Sequence, residues 1–268
     1  MSVLFVFLDG VGIGPSDPDR NPFLQAYLPG LEKLLGGPMP TLDEPSITGP
    51  LGRAIPLDAN LGVDGIPQSG TGQITLLTGE NAALAFGRHF GPWAPVRLRS
   101  MLTEKNVLST AQEAGHSAAF ANAYPERYLE THGSRFPASP PLAANAAGLL
   151  NRHTTELASG DAVSSEIVNT GWINKLGYGE VPDITPEEAG ANLARIAISA
   201  DLTFYAHYST DHAGHKGSAR GKPWRPSNGW TSSCRPPCTV SPREIPWSWP
   251  AITATWRTSR EDTPGIRS

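Results

Sequence analysis

Cysteine is nearly absent from this chain: 268 residues hold two, Cys234 and Cys238, both close to its far end. A disulfide framework is thereby excluded for everything ahead of them. The C-x-x-x-C pair itself reads as half a metal site or a single disulfide, and no companion ligands flank it. Long hydrophobic runs are missing too. Nothing approaches the ~20 apolar residues of a membrane-spanning helix. The opening Val3–Leu8 is stopped by Asp9 before it gains the length of a secretory leader, which also needs a basic front. Charge is not in excess: 21 Lys and Arg against 25 Asp and Glu leave −4, too mild to mark a nucleic-acid or lipid partner. These absences set the expectation of a soluble, cytoplasmic protein that meets neither nucleic acid nor membrane.

What is present is length enough to bury an α/β core and three short apolar runs of strand character. Val3–Leu8, Ser117–Ala123 and Leu202–Tyr208 each end abruptly in polar or turn residues, as buried strands do. Helical stretches fall between them: Leu24–Leu35 in two pieces parted at Pro29-Gly30 and stopped at Gly36-Gly37, Asn106–Ala114 stopped at Gly115, and Pro186–Ala197, with Pro at its start and Glu187 and Glu188 in its first turn. Strands alternating with helices predict an α/β fold with a largely parallel sheet. Residues 1–123 and 186–217 read as a discontinuous core. Residues 124–185, turn-rich with short helical pieces, read as a small cap or insertion.

Polar residues with chemical potential stand at the strand ends, where open α/β sheets bind ligands. Asp9 follows the first strand within Asp9-Gly-Val-Gly-Ile-Gly14. Asp211-His-Ala-Gly-His215 follows the third. A carboxylate and an imidazole four residues apart can converge on one divalent cation; the plainer reading is a solvated loop. Asp9 suits a metal or merely a turn. Ser69-Gly-Thr-Gly72 reads as a glycine-rich turn ahead of the helical stretch Ile74–Leu77, offering backbone N–H groups to an anion, although such turns are common. Arg88, His89, Arg97 and Arg99 form a basic group downstream of it. It is either a solvated face or a hold for an anionic substrate.

Taken in order, three segments resemble those of one enzyme family. Phe5-Val-Phe-Leu-Asp9-Gly-Val-Gly-Ile-Gly14 is similar to the opening of phosphopentomutases and cofactor-independent phosphoglycerate mutases. Gln68-Ser69-Gly-Thr-Gly72-Gln73, running on to Gly79, is similar to their nucleophile loop, with Gln73 where relatives usually carry His. Thr210-Asp211-His-Ala-Gly-His215-Lys-Gly217 resembles their D-x-x-G-H motif. The resemblance is to the alkaline phosphatase superfamily. It implies an alkaline-phosphatase-like central, largely parallel sheet with helices on both faces, and two divalent metal ions (Mn, Zn or Mg). It implies Asp9, Ser69, Asp211 and His215 as metal ligands, Ser69 as phosphorylated nucleophile with Thr71 as fallback, and Arg88 and His89 on a small phosphorylated substrate. The stretch between Ser69 and Asp211 is too short for the large second domain of phosphoglycerate mutases. A phosphodiesterase or sulfatase of the same superfamily and a non-catalytic relative are the alternatives.

Beyond Gly217 the composition changes. Five of the seven Trp, both Cys and dense Pro, Ser and Arg follow, fitting neither helix nor strand patterns. The family's D-H-G-N and G-H-T segments, which complete its two metal sites, are absent. Codons shifted by one frame restore both: Pro250 through Thr258 permits S-D-H-G-N-V-E-D, and Glu261 through Arg267 permits G-H-T-R-N-P. The sequence therefore predicts a frame slip between Gly217 and Lys222, an aberrant and disordered tail over 218–268, a core incomplete at its C-terminal side, and weak metal binding with impaired activity.

Overall fold

A computed structural model describes residues 2–131 and 135–218. The tail expected to be frame-shifted lies outside the described residues, apart from Ser218 at the end of the last helix. The described chain is mixed α/β. Its elements run β1 (Val3–Leu8), α1 (Pro29–Leu35), β2 (Ile47–Thr48), β3 (Arg53–Ala54), α2 (Ser69–Thr78), α3 (Ala82–Phe86), α4 (Arg99–Glu104) and α5 (Val107–Glu113). There follow β4 (Ala118–Phe120), α6 (Ser139–Ala146), α7 (Thr154–Ser159), α8 (Thr170–Asn174), α9 (Pro186–Ile198), β5 (Leu202–His207) and α10 (Ser209–Ser218).

Three strands form a parallel sheet in the order β1-β5-β4, so the last strand among the described residues is the middle one. Val3 pairs with Leu202 and Leu8 with His207 on one side, and Ala118 with Leu202 on the other. Alternating side chains divide between two faces. Phe5, Phe7, Phe120, Phe204 and Ala206 meet Ile74 and Leu77 of α2, Leu102 of α4, Leu108 of α5 and Ala143 of α6. Leu4, Val6, Ala119 and Tyr205 meet Ala189, Leu193 and Ile196 of α9. Both faces are covered by helices, as a parallel sheet requires.

Local chemistry explains the helix boundaries. Thr185 and Glu188 close a capping box at the start of α9, and Pro186 occupies its first turn. Asn106 caps α5 by accepting from the N–H groups of Leu108 and Ser109. Gly36 ends α1 in the left-handed conformation. Pro29 opens α1 rather than breaking a longer helix, because the first turn needs no N–H from it.

Two side clusters complete the packing. Val11, Ile13, Leu28, Leu35 and Ala54 gather the loop after β1 onto α1 and the β2–β3 hairpin. Ala123, Leu157, Ala162, Trp172 and Val181 form a cluster within and beside the 124–185 segment. That segment is also tied to the sheet, since Ala123 N–H donates to the Val163 carbonyl at 3.0 Å and Val163 N–H to that of Ala121 at 2.9 Å. Among the described residues no helix is long and apolar enough to cross a membrane.

Candidate active site at the carboxyl edge of the sheet

Asp9 extends the β1 ladder by one bond, its N–H donating to the His207 carbonyl at 2.9 Å. On its strand it shares parity with Phe5 and Phe7, which places its side chain on the α2 side of the sheet. There the carboxylate, 6 % exposed, is met at both oxygens. Ser69 Oγ donates to Oδ1 at 3.1 Å and Gln73 Nε2 to Oδ2 at 3.0 Å. Ser69 and Gln73 are four residues apart on α2 and so share a face.

The glycine-rich segment is not a turn preceding a helix but the first helical turn itself, with Gln68 as N-cap. Tertiary packing holds it there. A Cβ on Gly70 would stand 2.2 Å from the Trp93 carbonyl oxygen and 2.6 Å from that of Phe90, so only glycine lets this loop lie across the helix start. Thr71, fully buried, serves the same contact. Its N–H donates to the Phe90 carbonyl at 2.9 Å, and its hydroxyl accepts from Phe90 N–H at 3.2 Å. Of the two candidate nucleophiles, Ser69 faces the Asp9 carboxylate and Thr71 anchors a loop.

Asp211 arrives from the other end of the chain. Gly10, at φ +72°, lies flat against it: a Cβ there would be 2.5 Å from Asp211 Cα and 2.9 Å from its Cβ. Thr210 Oγ1 donates to the Asp9 carbonyl at 2.5 Å. The segment read as a loop is a helix, α10, and its pitch sets Asp211 and His215 on one face, with His215 Nε2 3.5 Å from Asp211 Oδ1. The aspartate side chain is 13 % exposed and the histidine 71 %.

The basic group divides. Arg99 is spent on the carbonyls of Ala94 and Arg135, at 3.2 and 2.8 Å. Arg88 and His89 line an open cleft of about 510 Å³ together with Asp64, Gly65, Gln68 and Phe90. That cleft adjoins Ser69 through Gln68. Within it, His89 Nε2 lies 3.0 Å from the Val63 carbonyl, and the Arg88 guanidinium lies 5.8 Å from the Phe86 ring centre.

Two groups beside the site, the half-buried Tyr208 and the buried His207, escaped the sequence reading. Tyr208 bonds the Tyr124 hydroxyl at 3.3 Å. Burial first, then Tyr124 and the Asp9 carboxylate, push its hydroxyl well above the usual tyrosine range, so it stays a neutral donor. His207 is 5 % exposed, and its Nδ1 meets the Ser165 carbonyl at 2.8 Å. Burial lowers its pKa to about 4. Their only trace in the sequence is a polar or aromatic residue closing an apolar run.

Among the described residues, no three or more His, Cys, Asp or Glu group together as a cation site. Two partial donor sets are present instead. Asp9 and Ser69 offer hard oxygens, beside a buried Gln73 Oε1 that has no hydrogen-bond partner. Asp211 and His215 offer a carboxylate with an imidazole. These donor types fit divalent cations such as Mn, Zn or Mg, each set supplying part of a coordination shell. Compared with protein-family models, with curated proteins and with solved structures, the chain matches none.

Proposed function

We propose that this chain is built for metal-dependent phosphoryl transfer through a phosphoserine on Ser69, with the architecture of the alkaline phosphatase superfamily. The observation that carries the reading is the convergence of Ser69 on Asp9 at 3.1 Å, at the carboxyl edge of a parallel sheet, with Asp211 packed against Gly10. Three segments far apart in sequence thus meet where such sheets bind ligands.

Asp9 holds the Ser69 hydroxyl by accepting its hydrogen bond, and a rigid helix start aims Oγ. As Oγ bonds to phosphorus the ester oxygen–phosphorus bond breaks, and the substrate's alcohol leaves with the proton. Asp9 and Ser69 would hold one divalent cation, and Asp211 and His215 a second. When bound, such cations supply charge neutralisation on the phosphoryl oxygens. Arg88 and His89, in the cleft beside Gln68, suit the remote part of a small phosphorylated substrate. Water completes the cycle in a phosphatase, and a substrate hydroxyl does so in a mutase.

The test is direct. The protein is incubated with Mn²⁺ and a panel of phosphomonoesters, phosphodiesters and sulfate esters, acid-quenched, and digested for mass spectrometry. Phosphate on the Ser69 peptide, lost with EDTA and absent from Ser69→Ala, is the expected result. Turnover of diesters or sulfate esters alone moves the reading to the sister hydrolases. A second reading, a non-catalytic relative, draws support from the partial donor sets. It predicts no labelled serine with any ester, and no gain when the shifted frame beyond Gly217 is restored in the coding DNA.

A further inference from the structure

Gln73 is chemically half used. Its Nε2 donates to Asp9 Oδ2 at 3.0 Å, while Oε1, on a side chain 3 % exposed, has no hydrogen-bond partner. A buried carbonyl oxygen left in that state costs its desolvation with nothing in return. The arrangement makes sense as one of two settings. A primary amide presents oxygen or nitrogen to the same point by a half-turn about its last torsion, which is broad and roughly two-fold. Against a bare carboxylate the N–H end must face Asp9. Against a carboxylate carrying a cation that preference reverses, because the N–H is repelled and the carbonyl oxygen attracted.

We infer that Gln73 is a cation-responsive ligand: when a divalent cation seats on Asp9 and Ser69, its carboxamide turns to bring Oε1 onto that cation. The inference rests on the proposed reading of Asp9 as a cation ligand. The spacing favours it. Neighbouring oxygens around an octahedral cation of Mg²⁺ or Mn²⁺ size stand about 3 Å apart. Ser69 Oγ already stands 3.1 Å from Asp9 Oδ1, and the half-turn of the amide puts Oε1 where Nε2 now stands, 3.0 Å from Oδ2. Helix α2 fixes both donors, with Gly70 and Thr71 locked against the 90–93 loop, so the response needs one side-chain torsion and no backbone movement.

The experiment is a Mn²⁺ titration of the full chain, Gln73→Leu and Gln73→Glu, read by the electron paramagnetic resonance of free Mn²⁺. Side-chain amide NMR with Mg²⁺ accompanies it, and the Gln73 signals are identified by their loss in Gln73→Leu. The expected results are about tenfold weaker binding for Leu, about tenfold tighter binding for Glu, and a Mg²⁺-dependent shift of the Gln73 amide pair. A loss with Leu alone could equally come from a disturbed fold, and the gain with Glu separates the two. Equal affinities in all three proteins, or an unmoved Gln73 amide at saturating Mg²⁺, overturn the inference and leave Asp9 and Ser69 as the site. No Mn²⁺ binding by the unmodified chain overturns both.

Discussion

The hydroxyl of Thr210 donates to the main-chain carbonyl of Asp9 at 2.5 Å, joining residues 201 positions apart. It stitches the turn after β1 to the first turn of α10. Both groups are buried, so deleting the donor strands a carbonyl. Thr210→Val is expected to lose about 1–3 kcal/mol of unfolding free energy, measured by urea denaturation, while Thr210→Ser retains most of it.

Gly10 makes the same junction by absence of a side chain. Alanine there would hold an L-residue at φ +72° and set a Cβ 2.5 Å from Asp211 Cα. The strain and the forced separation together are expected to cost on the order of 2–4 kcal/mol. Phosphoserine formation should fall as well, because Asp211 is displaced from Asp9. A Gly10→Ala protein with unaltered denaturation midpoint and labelling would sink this account of the junction.

On the proposed function, Ser69 and Thr71 separate chemistry from packing. Ser69→Ala is expected to abolish labelling with little change in stability. Thr71→Val is expected to keep labelling but lose about 1–2 kcal/mol, since Phe90 N–H forfeits its acceptor. Acid-quench labelling beside denaturant titration checks both, and the opposite pattern would make Thr71 the nucleophile.

His207 gives the fold a pH dependence of definite sign. Burial depresses its pKa to about 4; the Ser165 carbonyl and Glu166 oppose that shift, and His212 adds to it. The unfolded chain, titrating near 6.5, takes up the proton first. Stability is therefore unaffected by this group above pH 6.5 and is lost as pH falls from there towards 4, by about 3 kcal/mol in all. His207→Gln removes the titration, and its unfolding free energy should fall less over that window than that of the unmodified chain.

The three strands of the parallel sheet were legible because each is a short apolar run closed by a polar residue; β2 and β3, two residues each, carry no such run and read as part of a loop. β4 came out shorter than Ser117–Ala123 because the ladder to β5 pairs only Ala118–Phe120: Ala121 adds one bond, to the Phe204 carbonyl, and Asn122 meets Ala206 through its side chain instead of its main chain. Sequence order cannot show that β5 sits between β1 and β4, since that depends on pairings across most of the chain. Helix α9 was readable from Pro186, Glu187 and Glu188, whose first-turn chemistry is local; the Thr185 cap ahead of them shows only in the structure. Helix α10 was not: Asp211-His-Ala-Gly-His215 has the composition of a loop, and its helical form shows only in the structure.

The same division holds at the site. Asp9, Ser69, Asp211 and His215 were candidates from spacing after strands and in glycine-rich segments, and Thr210 lay inside a quoted motif. Gln73 entered only as a departure from a family pattern, because an amide inside a helix carries no spacing signal. Its significance comes from which carboxylate it reaches.

The placement of β5 has a consequence for biosynthesis. Val3 pairs with Leu202 and Leu8 with His207, so β1 leaves the ribosome some two hundred residues ahead of the strand it pairs with. At ~5–20 residues per second, that is a wait of roughly 10–40 s. During it β1 has an open edge and two apolar faces, which makes this interval the one in which a chaperone has most to cover.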